Sequence, residues 1–243
     1  MIYFDNGATT KPYKEVVDTF VKVSTNFFGN PSSLHTLGKE AERLLSHARE
    51  QIANLLNVKA SELVFTSGGT EGNNLAVKGV ARYYKKRGMH LITSTIEHSA
   101  TLNAFKQLEE EGFHVTYLKP NEEGIITEQQ VKDALTDETI LVSLVHVNNE
   151  TGSIFPIEKI GKVISDYPKV LFHVDHVQGL CKVPLNFYSS HIDLCSMSAH
   201  KFHGLKGSGI LFVKDGVQLH PLFTGGSQEN NLRAGTENGA GIV

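Results

Sequence analysis

Short apolar runs alternate along the chain with longer stretches whose apolar residues recur at three- and four-residue steps. The runs predict strands over 62–66, 90–95, 114–118, 140–146, 170–175, 194–198 and 209–213. Several, such as Ile140-Leu141-Val142-Ser143-Leu144-Val145, are almost continuously apolar, as strands covered on both faces are. The helical spacing predicts helices over 36–56, 70–86, 99–111, 127–135 and 157–166. Ala41, Leu44, Leu45, Ala48, Ile52, Ala53 and Leu56 form one such stripe. Thr127 ahead of Glu128-Gln129-Gln130 fits a capped helix start. Strands alternating with helices imply an α/β fold, a three-layer αβα sandwich around a mainly parallel seven-stranded sheet. No linker rich in Pro, Gly or Ser divides the chain, so one large domain is expected over 13–243 behind a strand-like arm, 1–12.

Composition adds little to this picture. With 243 residues, 40% hydrophobic and 20% charged, the chain has the makings of an ordinary globular core. A net charge of -3 gives no field suited to nucleic acid or an anionic membrane, so neither is expected as a direct partner. Lys85-Lys86-Arg87 reads as a solvated helix end. Cys181 and Cys195 lack metal-type spacing, which points to a reducing compartment. The first residues show no basic leader or signal-like apolar core, and no apolar stretch approaches the ~18 residues of a membrane span. A cytoplasmic location is the expectation.

The unusual residues fall at strand C-terminal ends, where open α/β sheets bind ligands. Thr66-Ser67-Gly68-Gly69-Thr70-Glu71 follows a strand and opens a helix, which suits an anion, although strand-to-helix turns also need glycine for steric reasons. It lacks the endings of a nucleotide P-loop or a dinucleotide fingerprint. His173-Val174-Asp175-His176-Val177-Gln178 puts a carboxylate at a strand end, where it either caps the next turn or holds a cationic ring nitrogen. Ser198-Ala199-His200-Lys201 puts a lysine just beyond another strand, where it is either solvated or reactive. Together the three describe a site for pyridoxal 5'-phosphate (PLP). That cofactor needs a lysine to attach it, an acid at its ring nitrogen and a helix N-terminus for its phosphate. A metal site built from His173, Asp175, His176, His200 and His203 is the competing reading, but it leaves Lys201, Gly69 and Thr70 unexplained.

The same segments carry a family resemblance. Tyr3-Phe4-Asp5-Asn6-Gly7-Ala8-Thr9-Thr10, Gly29-Asn30-Pro31-Ser32-Ser33-Leu34-His35 and Glu97-His98 belong to it. So do Val147-Asn148-Asn149-Glu150-Thr151-Gly152, Gly225-Gly226-Ser227-Gln228-Glu229 and Leu232-Arg233-Ala234-Gly235-Thr236. With the three motifs above, the chain resembles a cysteine desulfurase of the class V aminotransferase group, within the fold-type I PLP enzymes. The resemblance implies that Lys201 attaches the cofactor and moves protons, that Asp175 holds the ring nitrogen protonated, and that His98 stacks on the ring and assists. It implies ring contacts from Asn149 and Gln178, and phosphate contacts from Gly69, Thr70, Ser198 and His200. Thr236 is implied to reach the phosphate of a partner subunit, and hence a homodimer. Without the resemblance, His98 reads as a residue beside a helix cap.

The family converts L-cysteine to L-alanine and passes the sulfur on as a persulfide, to an iron–sulfur scaffold or a tRNA-thiolation enzyme. Its nucleophilic cysteine, its carboxylate-binding arginine and the rest of a small domain follow the segments matched here, and arm 1–12 belongs to that small domain. Gly235–Val243 does not read as a finished domain end, so a truncated, nearly inactive desulfurase is the expectation. Cys195 and Cys181 read as packing residues. Ser227, Asn230 and Asn231 depart from the pattern, where a third glycine and an Arg-Gly pair are frequent. The alternatives are another class V enzyme (selenocysteine lyase, kynureninase-like or aminotransferase) and a non-catalytic dimerisation or scaffold fragment.

Overall fold

The computed structural model describes residues 2–243. Strands β1 (Leu63–Thr66), β2 (His90–Ser94), β3 (His114–Leu118), β4 (Thr139–Val145), β5 (Leu171–Asp175), β6 (Leu194–Ser198) and β7 (Gly209–Val213) form one sheet in the order β1-β7-β6-β5-β4-β2-β3. β7 runs antiparallel to both its neighbours, and the other pairs are parallel. The predicted seven-stranded, mainly parallel sheet is therefore the one observed: β3, β6 and β7 keep their expected bounds, β1, β2 and β5 are a residue shorter at one end, and β4 is shifted by one residue.

Helices α1 (Lys14–Asn26), α2 (Thr36–Leu56), α3 (Gly69–Tyr84), α4 (Ser99–Glu110), α5 (Glu128–Ala134), α6 (Ile157–Ile164) and α7 (Gly239–Ile242) complete the fold. They bury both faces of the sheet, because alternate strand residues point opposite ways. Leu63, Phe65, Val142, Phe172, Val174 and Phe212 pack with α2, α5 and α6 residues such as Leu45, Val131 and Ile160. Val64, Leu141, Leu194 and Leu211 pack instead with α3 and α4 through Leu75, Val80, Phe105 and Leu108. Thr127 caps α5 in a capping box with Gln130, as its sequence predicts.

The first residues correct one expectation. Residues 2–13 form no strand, since no sheet edge pairs with them. They are pinned instead to the turn after β6: Thr10 N–H donates to His200 O at 2.8 Å, and Tyr13 N–H to His203 O at 3.1 Å. No helix among the described residues is long and apolar enough to cross a membrane.

Candidate cofactor site

The α3-facing side of the sheet changes character along the strands. Leu91, Leu141 and Leu194 are apolar and lie toward the strand starts. Two residues further on, Thr93, Ser143 and Ser196 share that face, joined by His173 and Asp175. His173 bridges two of these hydroxyls, with Nδ1 2.7 Å from Ser143 Oγ and Nε2 2.9 Å from Ser196 Oγ. Burial lowers its pKa to about 3, so this ring is a neutral strut.

Asp175 ends β5 and is 4% exposed. Its Oδ1 accepts from Val177 N–H at 3.0 Å, and its Oδ2 accepts from the Asn73 side-chain amide at 2.6 Å. Burial is the largest influence and leaves the carboxyl pKa raised, although these two donors and the charge of Lys201 pull the other way. Asn73, in α3, is the site residue that the sequence reading missed. A buried asparagine on the same stripe as Gly69, Gly72 and Ala76 was the available signal, because apolar stripes rarely carry an amide without a task. Its Oδ1 has no partner among the described residues.

Lys201 closes the 3-10 turn Ala199–Lys201 that follows β6. Its Nζ donates to Gly7 O at 2.5 Å and Ala8 O at 2.9 Å. Burial and then the charge of Lys182 lower its pKa, opposed by Asp175 and Asp5. Gln178 Nε2 also donates to Gly7 O, at 2.7 Å, and His200 Nδ1 lies 3.1 Å from Thr9 Oγ1. The arm thus forms one wall of the site. His98 is the N-cap of α4, its Nδ1 accepting from Ala100 N–H at 3.1 Å.

The turn into α3 is tightly built. Gly68 has φ 147°, a backbone state that side chains resist. A Cβ on Gly69 would lie 2.6 Å from Val177 Cγ2. Ser67 N–H is taken by Glu71, whose other oxygen is held by Arg233. Among the described residues, no acceptor meets the amides of Gly69, Thr70 and Glu71. Three free N–H groups at the start of a sixteen-residue helix make an anion site.

Gly69, Thr70, His98, Asn149, Asp175, Gln178, Ser198, His200 and Lys201 all line one cavity of about 250 Å³, with Asn73 and Ala8. Thr236 does not: it faces other hollows, beside Ser67 and Arg233 on one side and Phe28 and Asn30 on the other. A larger, mainly apolar hollow of about 400 Å³ lies among α1, α2 and α7, but among the described residues only Glu15 and Cys181 bring titratable side chains to it. Chemistry therefore favours the smaller cavity. Cys195 is buried in β6 with its thiol pKa pushed well above the ordinary value, and Cys181 is exposed; neither lines the smaller cavity. His176 pairs with His146 at 2.8 Å between their Nδ1 atoms, and His203 lies 2.9 Å from Lys11 O, so the histidines of the metal reading do not converge.

A parallel-sheet α/β fold with a lysine, a buried acid and a helix N-terminus around one cavity defines a PLP-enzyme large domain. The chain belongs to the aminotransferase class-V family, whose model matches residues 2–243. Among its relatives are a NifS/IcsS protein homolog of Lactobacillus delbrueckii subsp. bulgaricus, 49% identical over 100% of this chain and 63% of the relative. The cysteine desulfurase IscS of Dictyoglomus turgidum is 47% identical over 100% of this chain and 61% of its own length. A solved structure of SspA in complex with cysteine superposes with a TM-score of 0.96 at 42% identity, covering 100% of this chain and 70% of that one. The chain thus spans a little over three fifths of the length of these curated relatives.

The family depends on PLP, and the residues present fit it. Asp175, buried and carrying only two hydrogen bonds, has capacity left for a ring N–H. The free amides at α3 and the close-packed Gly69 leave an anion-sized cradle, and Lys201 faces the same cavity.

Proposed function

We propose that this chain carries the cofactor-binding part of a PLP-dependent cysteine desulfurase, which converts L-cysteine to L-alanine and passes the sulfur to an acceptor as a persulfide. The observation that carries this is the convergence of Lys201, Asp175 and the α3 N-terminus on one cavity. When bound, PLP supplies a ring that takes up the electrons released at a substrate's α-carbon. Asp175 holds a proton at the ring nitrogen, which keeps that ring electron-poor. Lys201 Nζ holds the cofactor and moves a proton at the α-carbon; its lowered basicity suits both tasks. Gly69, Thr70, Ser198 and His200 hold the phosphate, while His98, Asn149 and Gln178 orient the ring. The cysteine held by the related SspA supports L-cysteine as substrate, and the desulfurase names of the relatives favour this reading over another class V activity.

The sulfur acceptor is an iron–sulfur scaffold protein or a tRNA-thiolation enzyme. The enzyme works as a homodimer in the cytoplasm. Exposed Thr236, away from its own chain's cavity, supports a site shared between subunits, and two unpaired cysteines support a reducing compartment. Since neither thiol lines the cavity, the 243-residue chain by itself releases little sulfur.

Adding PLP to the purified chain produces a visible absorption band, and Lys201→Ala abolishes it. A wild-type chain that stays colourless overturns the assignment and favours a scaffold role. Brisk alanine release from L-cysteine by this chain alone would contradict only the statement about its thiols.

A further inference from the structure

Two ion pairs brace the turn into α3 from behind. Glu229 is buried, and its carboxylate accepts two N–H groups of Arg49 and the Phe65 N–H, the last at 2.8 Å. Phe65 lies in β1, two residues ahead of Ser67. The chain then runs through three consecutive left-handed residues, Glu229, Asn230 and Asn231, with φ of 48°, 55° and 65°. Residues with side chains avoid this conformation, which persists where surrounding bonds impose it. The turn delivers Arg233, whose Nε donates to Glu71 Oε1 at 2.9 Å. Glu71 Oε2 accepts in turn from Ser67 N–H, also at 2.9 Å. Gly69 and Thr70 line the cofactor cavity, whereas Ser67 and Arg233 line a separate hollow behind them.

A carboxylate in this place poses an electrostatic difficulty. Glu71 is the third residue of α3, and its own N–H is one of the three left free for an anion. Its side chain and a bound phosphate draw on the same positive helix end and repel each other. The Glu71 side chain is only 8% exposed, so solvent screens it little. Burial is the largest influence on its pKa and raises it, yet Arg233 and Ser67 together bring it below the ordinary value, so the group is ionised at neutral pH. We propose that Arg233 is a positioning residue of the anion cradle: its guanidinium offsets the charge of Glu71, so that this carboxylate closes the turn through Ser67 without opposing the phosphate. Arg233 has this role only if the α3 N-terminus holds the cofactor phosphate, as proposed above. The left-handed turn, tied to β1 through Glu229, is what carries the arginine to its place.

The test compares PLP with pyridoxal, which has the same ring and aldehyde but no phosphate, in absorbance titrations of the Lys201 band. Arg233→Gln should weaken PLP binding about three- to tenfold and leave pyridoxal binding unmoved. Glu71→Gln keeps an acceptor for Ser67 N–H and removes the charge. Combined with Arg233→Gln, it should restore PLP affinity to within about twofold of the parent. Equal losses for both compounds, no loss for either, or a double variant as weak as Arg233→Gln would each overturn the proposal. Should Arg233→Gln not fold, Glu71→Gln alone should tighten PLP but not pyridoxal, and an unchanged PLP affinity is equally fatal. Calorimetry with inorganic phosphate separates this role from the cofactor assignment. Phosphate uptake that Arg233→Gln weakens, in a parent that gives no band with PLP, would sink the assignment of Lys201 and leave the role of Arg233 standing. A parent that takes up neither PLP nor phosphate would sink both.

Discussion

His98 has two separable tasks. Its Nδ1 caps α4, and its ring lines the cavity. Asparagine is also a good cap, so His98→Asn should cost the fold only a few tenths of a kcal/mol while weakening PLP binding several-fold or more. Thermal melting and an absorbance titration separate the two; equal losses in both would mean that the cap is all that matters. Glu97, beside it in sequence, is 6% exposed, and burial pushes its carboxyl pKa up to about 8. It predicts a pH effect whose sign follows from its proton. An unfolded chain releases that proton near 4.5 and the folded one near 8, so stability falls as pH rises between these values. Glu97→Gln escapes this loss. Its stability relative to the parent should rise from pH 5 to pH 8, by up to roughly 3–5 kcal/mol. Urea midpoints at the two pH values check this, and a constant difference would contradict it.

At the level of elements, the start of α3 depends on what lies behind it. A Cβ at Gly209 in β7 would sit 2.5 Å from Gly68 Cα and 2.8 Å from Met197 O, both backbone atoms that cannot swing aside. Gly209→Ala should therefore destabilise the protein by about 1–3 kcal/mol and weaken its grip on the cofactor phosphate. Melting temperature and PLP affinity should fall together, and an unaltered affinity would show that the turn tolerates the shift. The sequence disclosed most elements because their apolar spacing was strong and their helices were well marked. It did not disclose α1, Lys14–Asn26. Tyr13 offers no capping side chain, four valines favour strands, and Val23 is the helix's one buried residue, so neither boundary nor stripe announced a helix. Asn73 escaped for the opposite reason: the spacing marks the helix, but spacing alone does not separate a buried amide from a solvated one.

Across the whole molecule, the candidate site was legible because its chemistry is spread over motifs at strand ends, which the sheet gathers at one edge. What spacing did not reveal was the wall made by the arm, since residues 2–13 carry no periodic pattern and acquire their place from bonds to distant backbone. Those bonds have a bearing on the protein's birth. Lys201 meets the Gly7 carbonyl across 194 positions of sequence, and Gln178 meets the same carbonyl across 171. A ribosome adding about 5–20 residues per second needs roughly 10–40 s to bring Lys201 into existence after Gly7. The arm must therefore wait for its partners until the turn after β6 has been made, so the wall it contributes to the cavity closes later than the arm itself is synthesised.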